Sequence, residues 1–102
     1  MIPAPRLDET PLAFAIRDVA PQAPTHVLII PKEHVVRSAA ELGSEHATLL
    51  GELFALASRV AAREGLGNGW RLVTNVGQEG GQSVPHLHFH LLGGRPMTWP
   101  PG

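Results

Sequence analysis

The chain contains no cysteine. That absence excludes disulfides, thiol nucleophiles and thiolate metal sites together. It leaves histidine, present six times in 102 residues, as the side chain best suited to act as nucleophile, base or ligand. Charge of one sign is also scarce: eight Lys and Arg against nine Asp and Glu give a net charge of −1. The cations are scattered singly, so no basic patch is available for duplex nucleic acid or an anionic membrane. No apolar run reaches the length of a membrane span, and Met1-Ile2-Pro3-Ala4-Pro5-Arg6 carries no signal-peptide pattern, so the expected location is the cytoplasm. There is no internal repeat, low-complexity tract or interdomain linker. With 43% hydrophobic and 17% charged residues, the composition is that of one folded globular domain with a single core.

What the chain does have is concentrated near its C-terminal end. His86-Leu87-His88-Phe89-His90-Leu91-Leu92 places three imidazoles at alternate positions, directly after the glycine-rich run Gly77-Gln78-Glu79-Gly80-Gly81-Gln82-Ser83. Successive side chains of a strand point to opposite faces, so His86, His88 and His90 are expected on one face and Leu87, Phe89 and Leu91 on the other. Packing alone explains such a pattern poorly, because both nitrogens of a covered imidazole need partners.

The remaining pattern is α+β. Pro3, Pro5 and Pro11 imply an irregular N-terminus, followed by a short strand over 12–16. Asp18 to Thr25, with Pro21 and Pro24, reads as a turn, and His26-Val27-Leu28-Ile29-Ile30 as a buried strand stopped by Pro31, with His26, Leu28 and Ile30 on one face. Ser38 with Glu41 suggests a capping box, and Ser44 opens a helix running to about Glu64 and roughly 30 Å long. Its apolar stripe is Leu49, Leu50, Leu53, Phe54, Ala57, Val60 and Ala61, and Gly65 and Gly67 end it. Trp70 to Asn75 then forms a strand that returns through the glycine loop to pair antiparallel with the histidine strand. His34, after the Pro-Lys-Glu turn, reads as structural, and His46, in the helix's first turn, as solvent-exposed.

Two chemistries compete for three aligned histidines: nucleophilic attack at phosphorus, and metal binding. Alternate strand residues lie roughly 6.6 Å apart, so His86 and His90 would be about 13 Å apart, awkward for one tetrahedral ion unless two histidines join a distant carboxylate. A central nucleophile fits better. An imidazole whose Nδ1–H is held by a backbone carbonyl presents its Nε2 lone pair outward, and His88 is the natural choice. The glycine loop could offer backbone N–H groups to an anion, although it lacks the lysine and following helix of a P-loop.

The stretch from Gly81 to Leu92 resembles the signature of the histidine triad (HIT) family. The segments 18–26 and 30–35 and the ending 93–102 resemble its Hint branch, the purine nucleoside phosphoramidases. This resemblance implies a homodimer whose subunits each contribute an antiparallel sheet of about five strands and one long helix, the two sheets continuing into one. It also implies a single HIT domain over 1–102, with the family's N-terminal helix and first strand shortened or absent. His88 would be the nucleophile, with His26 and His86 supporting it. His90, Ser83 and the Gly81 backbone would hold the phosphate, Asp18 the ribose hydroxyls, Asn75 the phosphate or leaving-group side, and Trp99 would reach the partner subunit's site. The implied substrate is a purine nucleotide linked to an amine or acyl group. No metal and no cofactor are expected, since the zinc of some HIT proteins uses an N-terminal Cys-x-x-Cys that is missing here. The alternatives are a metal-dependent enzyme using two triad histidines and a nucleotide-binding adaptor dimer with incidental catalysis. Cleavage of dinucleoside polyphosphates is disfavoured by the Trp99-Pro100-Pro101-Gly102 tail.

Overall fold

A computed structural model describes residues 5–102. Five strands, β1 (Arg6–Glu9), β2 (Ala13–Arg17), β3 (Thr25–Pro31), β4 (Trp70–Val73) and β5 (Phe89–Gly93), form one antiparallel sheet in the order β1-β2-β3-β5-β4. One helix, α1 (Ala47–Arg63), crosses one face of it. This is the architecture expected from the sequence. β1 is a departure: Pro5 precedes it and Pro11 lies in the turn after it, so the prolines bound a strand where irregular chain was expected.

Period-two alternation divides the sheet into two faces. Ala13 and Ala15 of β2, Val27 and Ile29 of β3, and Phe89 and Leu91 of β5 are buried against α1, which contributes Leu49, Leu53, Leu56, Ala57, Val60 and Ala61. Leu56 takes the place foreseen for Phe54. The Phe54 ring lies at the flank of the stripe, half-exposed, and packs on Phe89 with centroids 5.6 Å apart. Small alanines on β2 let the helix approach closely. The first turn from Ser44 to His46 is a tighter 3₁₀ turn, so α1 is 17 residues, about 25 Å. His46 is not solvent-exposed as expected: its side chain is 15% accessible and its Nδ1 accepts from the Gly43 N–H at 2.9 Å.

Polar contacts fasten β1 and its turn to the helix. The Glu52 carboxylate accepts from the Thr10 hydroxyl (2.7 Å) and the Leu12 N–H (3.0 Å). Asp8 accepts two bonds from the Arg59 guanidinium (2.7 and 2.8 Å) with Arg63 3.3 Å away. The helix ends at Gly65, which holds the left-handed φ of 73° that a side chain disfavours, while Leu66 N–H returns to the Ala61 carbonyl at 3.0 Å. The Ser38 capping box is divided: Ser38 Oγ accepts from Ala40 N–H at 3.2 Å, but the Glu41 carboxylate turns to Arg37, taking its N–H at 2.8 Å and its guanidinium at 2.7 Å.

Candidate functional site

The sheet face opposite α1 carries the histidines. His26 is the second residue of β3 and His90 lies in β5, on diagonal positions of the ladder in which Leu28 faces His90 and Leu92 faces His26. Their rings meet at 2.9 Å between His26 Nε2 and His90 Nδ1. The Gln22 N–H donates to His26 Nδ1 at 3.0 Å, which makes that nitrogen an acceptor and puts the His26 proton on Nε2. His26 therefore donates to His90 Nδ1, and the neutral His90 carries its own proton on Nε2. One backbone amide in the 18–25 turn thus sets the tautomers of two rings. The Asp18 carboxylate lies 3.5 Å from His26 Nε2, while its other oxygen accepts from Ala20 N–H at 2.8 Å and closes the turn. Burial pushes the His90 imidazole below its ordinary value; the neighbouring His88 and His26 rings act in the same direction, and the Asp18 carboxylate opposes them. His90 is thereby kept a neutral donor.

His88 lies edge-on to His90, with ring centroids 5.0 Å apart. Its Nδ1–H donates to the His86 carbonyl at 2.7 Å, which leaves Nε2 as the outward lone pair. The expectation of one strand carrying all three histidines is corrected here. Only His90 belongs to β5; His86, Leu87 and His88 precede it in irregular backbone. Pro85 has no N–H, and β4 ends at Val73 opposite His90, so no ladder remains for 86–88 on that side. Side chains replace it: the His86 carbonyl is taken by the His88 ring, and the His88 carbonyl accepts from the Thr74 hydroxyl at 2.8 Å. The two-faced alternation nevertheless survives, with Leu87 and Phe89 buried and the three histidines half-buried. The His86 ring turns away from His88 and meets His34, Nδ1 to Nδ1, at 3.0 Å.

The glycine loop lies beyond β4. Asn75, predicted within that strand, falls after its end, and its amide donates to the Gly80 carbonyl at 2.7 Å. A side chain at Gly80 would place its Cβ 2.2 Å from the Val76 carbonyl oxygen, and Gly81 holds φ 76°, so both positions require glycine. Gln82 fastens the loop: its side-chain oxygen accepts from Gly77 N–H (2.9 Å), and its amide donates to the carbonyls of Arg37 (2.8 Å) and Val84 (3.1 Å). Ser83 is exposed and lines an open groove of about 600 Å³ with Arg37, Ser38 and Gln78. Beside it His86 and His88 line a second groove, about 350 Å³, with apolar walls from Phe14, Leu28, Ile30 and Val84 and Lys32 at the rim.

The structure thus gathers Asp18, His26, His90 and His88 into one chain of contacts and joins His86 to it through backbone. Asn75 and Gly81 share the loop. Trp99 stands apart at 83% exposure, on a tail anchored where Arg71 donates to the Thr98 carbonyl at 3.0 Å. Sequence reading missed Gln22, Thr74 and Gln82, which act through or upon the backbone and leave no periodic signal. It also set aside His34, a fifth histidine four residues past Ile30, whose partner His86 is far away in the chain. Asp18, His26 and His90 offer ligand atoms within 4.8 Å of one another. An ion on His26 Nε2, however, would need the proton at Nδ1, where the Gln22 N–H already donates. The donor set suits a hydrogen-bonded relay better than a metal.

Residues 1–97 match the HIT domain family. The chain belongs to that family. Its relatives include an uncharacterized HIT-like protein of Synechococcus elongatus, 52% identical over 99% of this chain and 88% of that one. A 14 kDa zinc-binding protein of Zea mays is 53% identical over 93% of this chain and 73% of its own length. Among solved structures, a HIT family hydrolase from Legionella pneumophila aligns with a TM-score of 0.93 and 49% identity, covering 99% of this chain and 90% of that one. A histidine triad protein from Clostridium difficile gives 0.88 and 31%, covering 95% and 84%. In this HIT domain the three signature histidines have unlike surroundings: a ladder residue beside His26, a ring tied to backbone, and a ring tied to His34.

Proposed function

We propose that this chain is a nucleotide-binding hydrolase of the cytoplasm, acting as a single-domain homodimer, that cleaves purine nucleoside phosphoramidates and related adenylates. The observation that carries the reading is the His88 ring, whose Nδ1–H is held by the His86 carbonyl at 2.7 Å so that Nε2 keeps its lone pair. That nitrogen attacks the α-phosphorus, and the bond from phosphorus to the amine breaks. The amine leaves with a proton drawn from solvent; water then attacks the phosphorus, its oxygen forming the new P–O bond as the bond to His88 breaks, and the proton it gives up replaces the one taken, so His88 is restored and the nucleoside monophosphate released. His90, fixed as an Nε2–H donor, faces a phosphate oxygen together with Ser83 and the Gly81 backbone. Asp18 accepts from the ribose hydroxyls, and Asn75 lies on the phosphate or leaving-group side. Trp99 serves the partner subunit's site. The groove beside His88 has a volume in the range of small-ligand sites and apolar walls suited to a planar group. The relative from Legionella pneumophila is called a hydrolase, which supports hydrolysis; the maize relative's name raises a metal-dependent alternative.

Release of AMP from an adenosine phosphoramidate, followed in chelator, tests both. The wild type should turn over and its rapidly quenched form should carry one AMP on His88. Inactivity, or activity restored only by added metal, would remove the proposal. Sedimentation should give twice the 10.9 kDa chain mass.

A further inference from the structure

We infer that His34 is a positioning residue for His88, acting through His86. The inference rests on the hydrolase reading for its kinetic consequence but not for its structural one. His86 Nε2 lies 3.4 Å from the Pro31 carbonyl, which can only accept, so the neutral ring carries its proton on Nε2 and presents Nδ1 as an acceptor. His34 Nδ1, 3.0 Å away, must then be the donor. The two rings pack with centroids 4.9 Å apart. His86 is held at both nitrogens.

What the clamp controls is the peptide unit between His86 and Leu87. Its carbonyl takes the His88 Nδ1–H at 2.7 Å, and its N–H donates to the Val36 carbonyl at 3.2 Å. The strap from His34 to Val36 therefore grips this peptide twice, once through the His86 ring and once through backbone. Among the described residues no strand performs that task, because the ladder on β5 begins only at Phe89. The peptide's orientation decides which His88 nitrogen keeps the proton. Without the His34 donor, His86 loses its Nδ1 partner and its ring is free to rotate, and the carbonyl that fixes the His88 tautomer loses half of its support. His34 touches no reacting atom in this scheme.

Two variants of the full chain separate this role from a general loss of fold. His34→Phe keeps a flat ring and removes the donor; His34→Asn places an amide donor where Nδ1 stood. The expected result for His34→Phe is a fall in kcat of about tenfold with KM changed by less than about twofold, the signature of a misplaced reacting group. His34→Asn should recover most of that loss. Long-range nitrogen–proton NMR spectra of the imidazoles should show His88 as the single Nδ1–H tautomer in the wild type and in His34→Asn, and as a mixture in His34→Phe. Undiminished kcat in His34→Phe, or an unchanged His88 tautomer in that variant, would overturn the inference. If the wild type does not hydrolyse phosphoramidates, the hydrolase reading fails, while the tautomer comparison still decides the role of His34.

Discussion

The two faces of the sheet come from the same strands, yet they are built to different rules. Toward α1, Val27, Ile29 and Leu91 are fully buried and hold one another by contact alone. One residue earlier on the same strands, His26 and His90 are held by directed bonds whose donors and acceptors can be followed from Gln22 N–H to His90 Nδ1. Burial on the first face is worth about 1.5–3 kcal/mol for each large side chain, whatever its partners. The second face contributes little of that kind and depends on tautomer and angle. Period-two alternation thus separates what keeps the domain folded from what equips it to react, within stretches of five to seven residues.

The largest expected effect breaks that comparison in both directions at once. His88→Ala should lower phosphoramidate hydrolysis by at least about 10³-fold, since the bond-forming nitrogen is gone, while leaving the thermal midpoint within a few degrees of wild type. Leu56→Ala empties a fully buried position under the helix and should cost about 2–5 kcal/mol, with kcat per folded molecule preserved. Thermal melts and kinetics on the same two preparations suffice. A large stability loss in the first variant, or a large kcat loss in the second, would mean that the faces are coupled.

The division also explains what could be read from the sequence. Alternation and helical periodicity report burial, so β2, β3, α1 and the buried positions Leu87, Phe89 and Leu91 were legible, as was the antiparallel return of β4 onto β5. At the stripe's two borders the spacing leaves open which residue turns inward, so Phe54, half-exposed, was placed in the core and Leu56, fully buried, was left out of it. In the site, His26, His88 and His90 were legible as residues and the outward Nε2 of His88 as an expectation. The break in the strand before Phe89 was not, because it depends on where β4 ends and on the Thr74 hydroxyl replacing a ladder bond. The His34–His86 pair joins residues 52 positions apart and leaves no local pattern.

A middle-sized effect concerns His90, which belongs to the ladder and to the site together. Its folded-state value lies below the ordinary 6.5, chiefly through burial, so the unfolded chain binds the extra proton more readily. The sign follows: the neutral ring's contribution is complete above 6.5 and is lost as pH falls through that value toward the lower folded one. Midpoints measured across mildly acidic pH should therefore fall for the wild type and fall less steeply for His90→Gln. Equal slopes would show that His90 does not couple the site to folding.

The smallest effect tests whether the separation extends to the sheet's edge. Asp8 lies on β1, far along the sheet from His88, and the hydrogen bonds from Arg59 hold its carboxyl at about 2, below the ordinary 3.8. Its contribution is therefore complete above 3.8 and lost as pH falls to about 2. An ion pair at the protein surface is screened by water and salt, so Asp8→Asn should lower the midpoint near neutrality by only a few degrees, and less at high salt. Hydrolysis should be unchanged, because β1 reaches the histidines only through β2 and β3. A fall in kcat without a fall in midpoint would be the more instructive result. It would mean that the edge strand steers the His26 end of the sheet through two intervening strands, so that fastening β1 to the helix bears on chemistry as well as on stability.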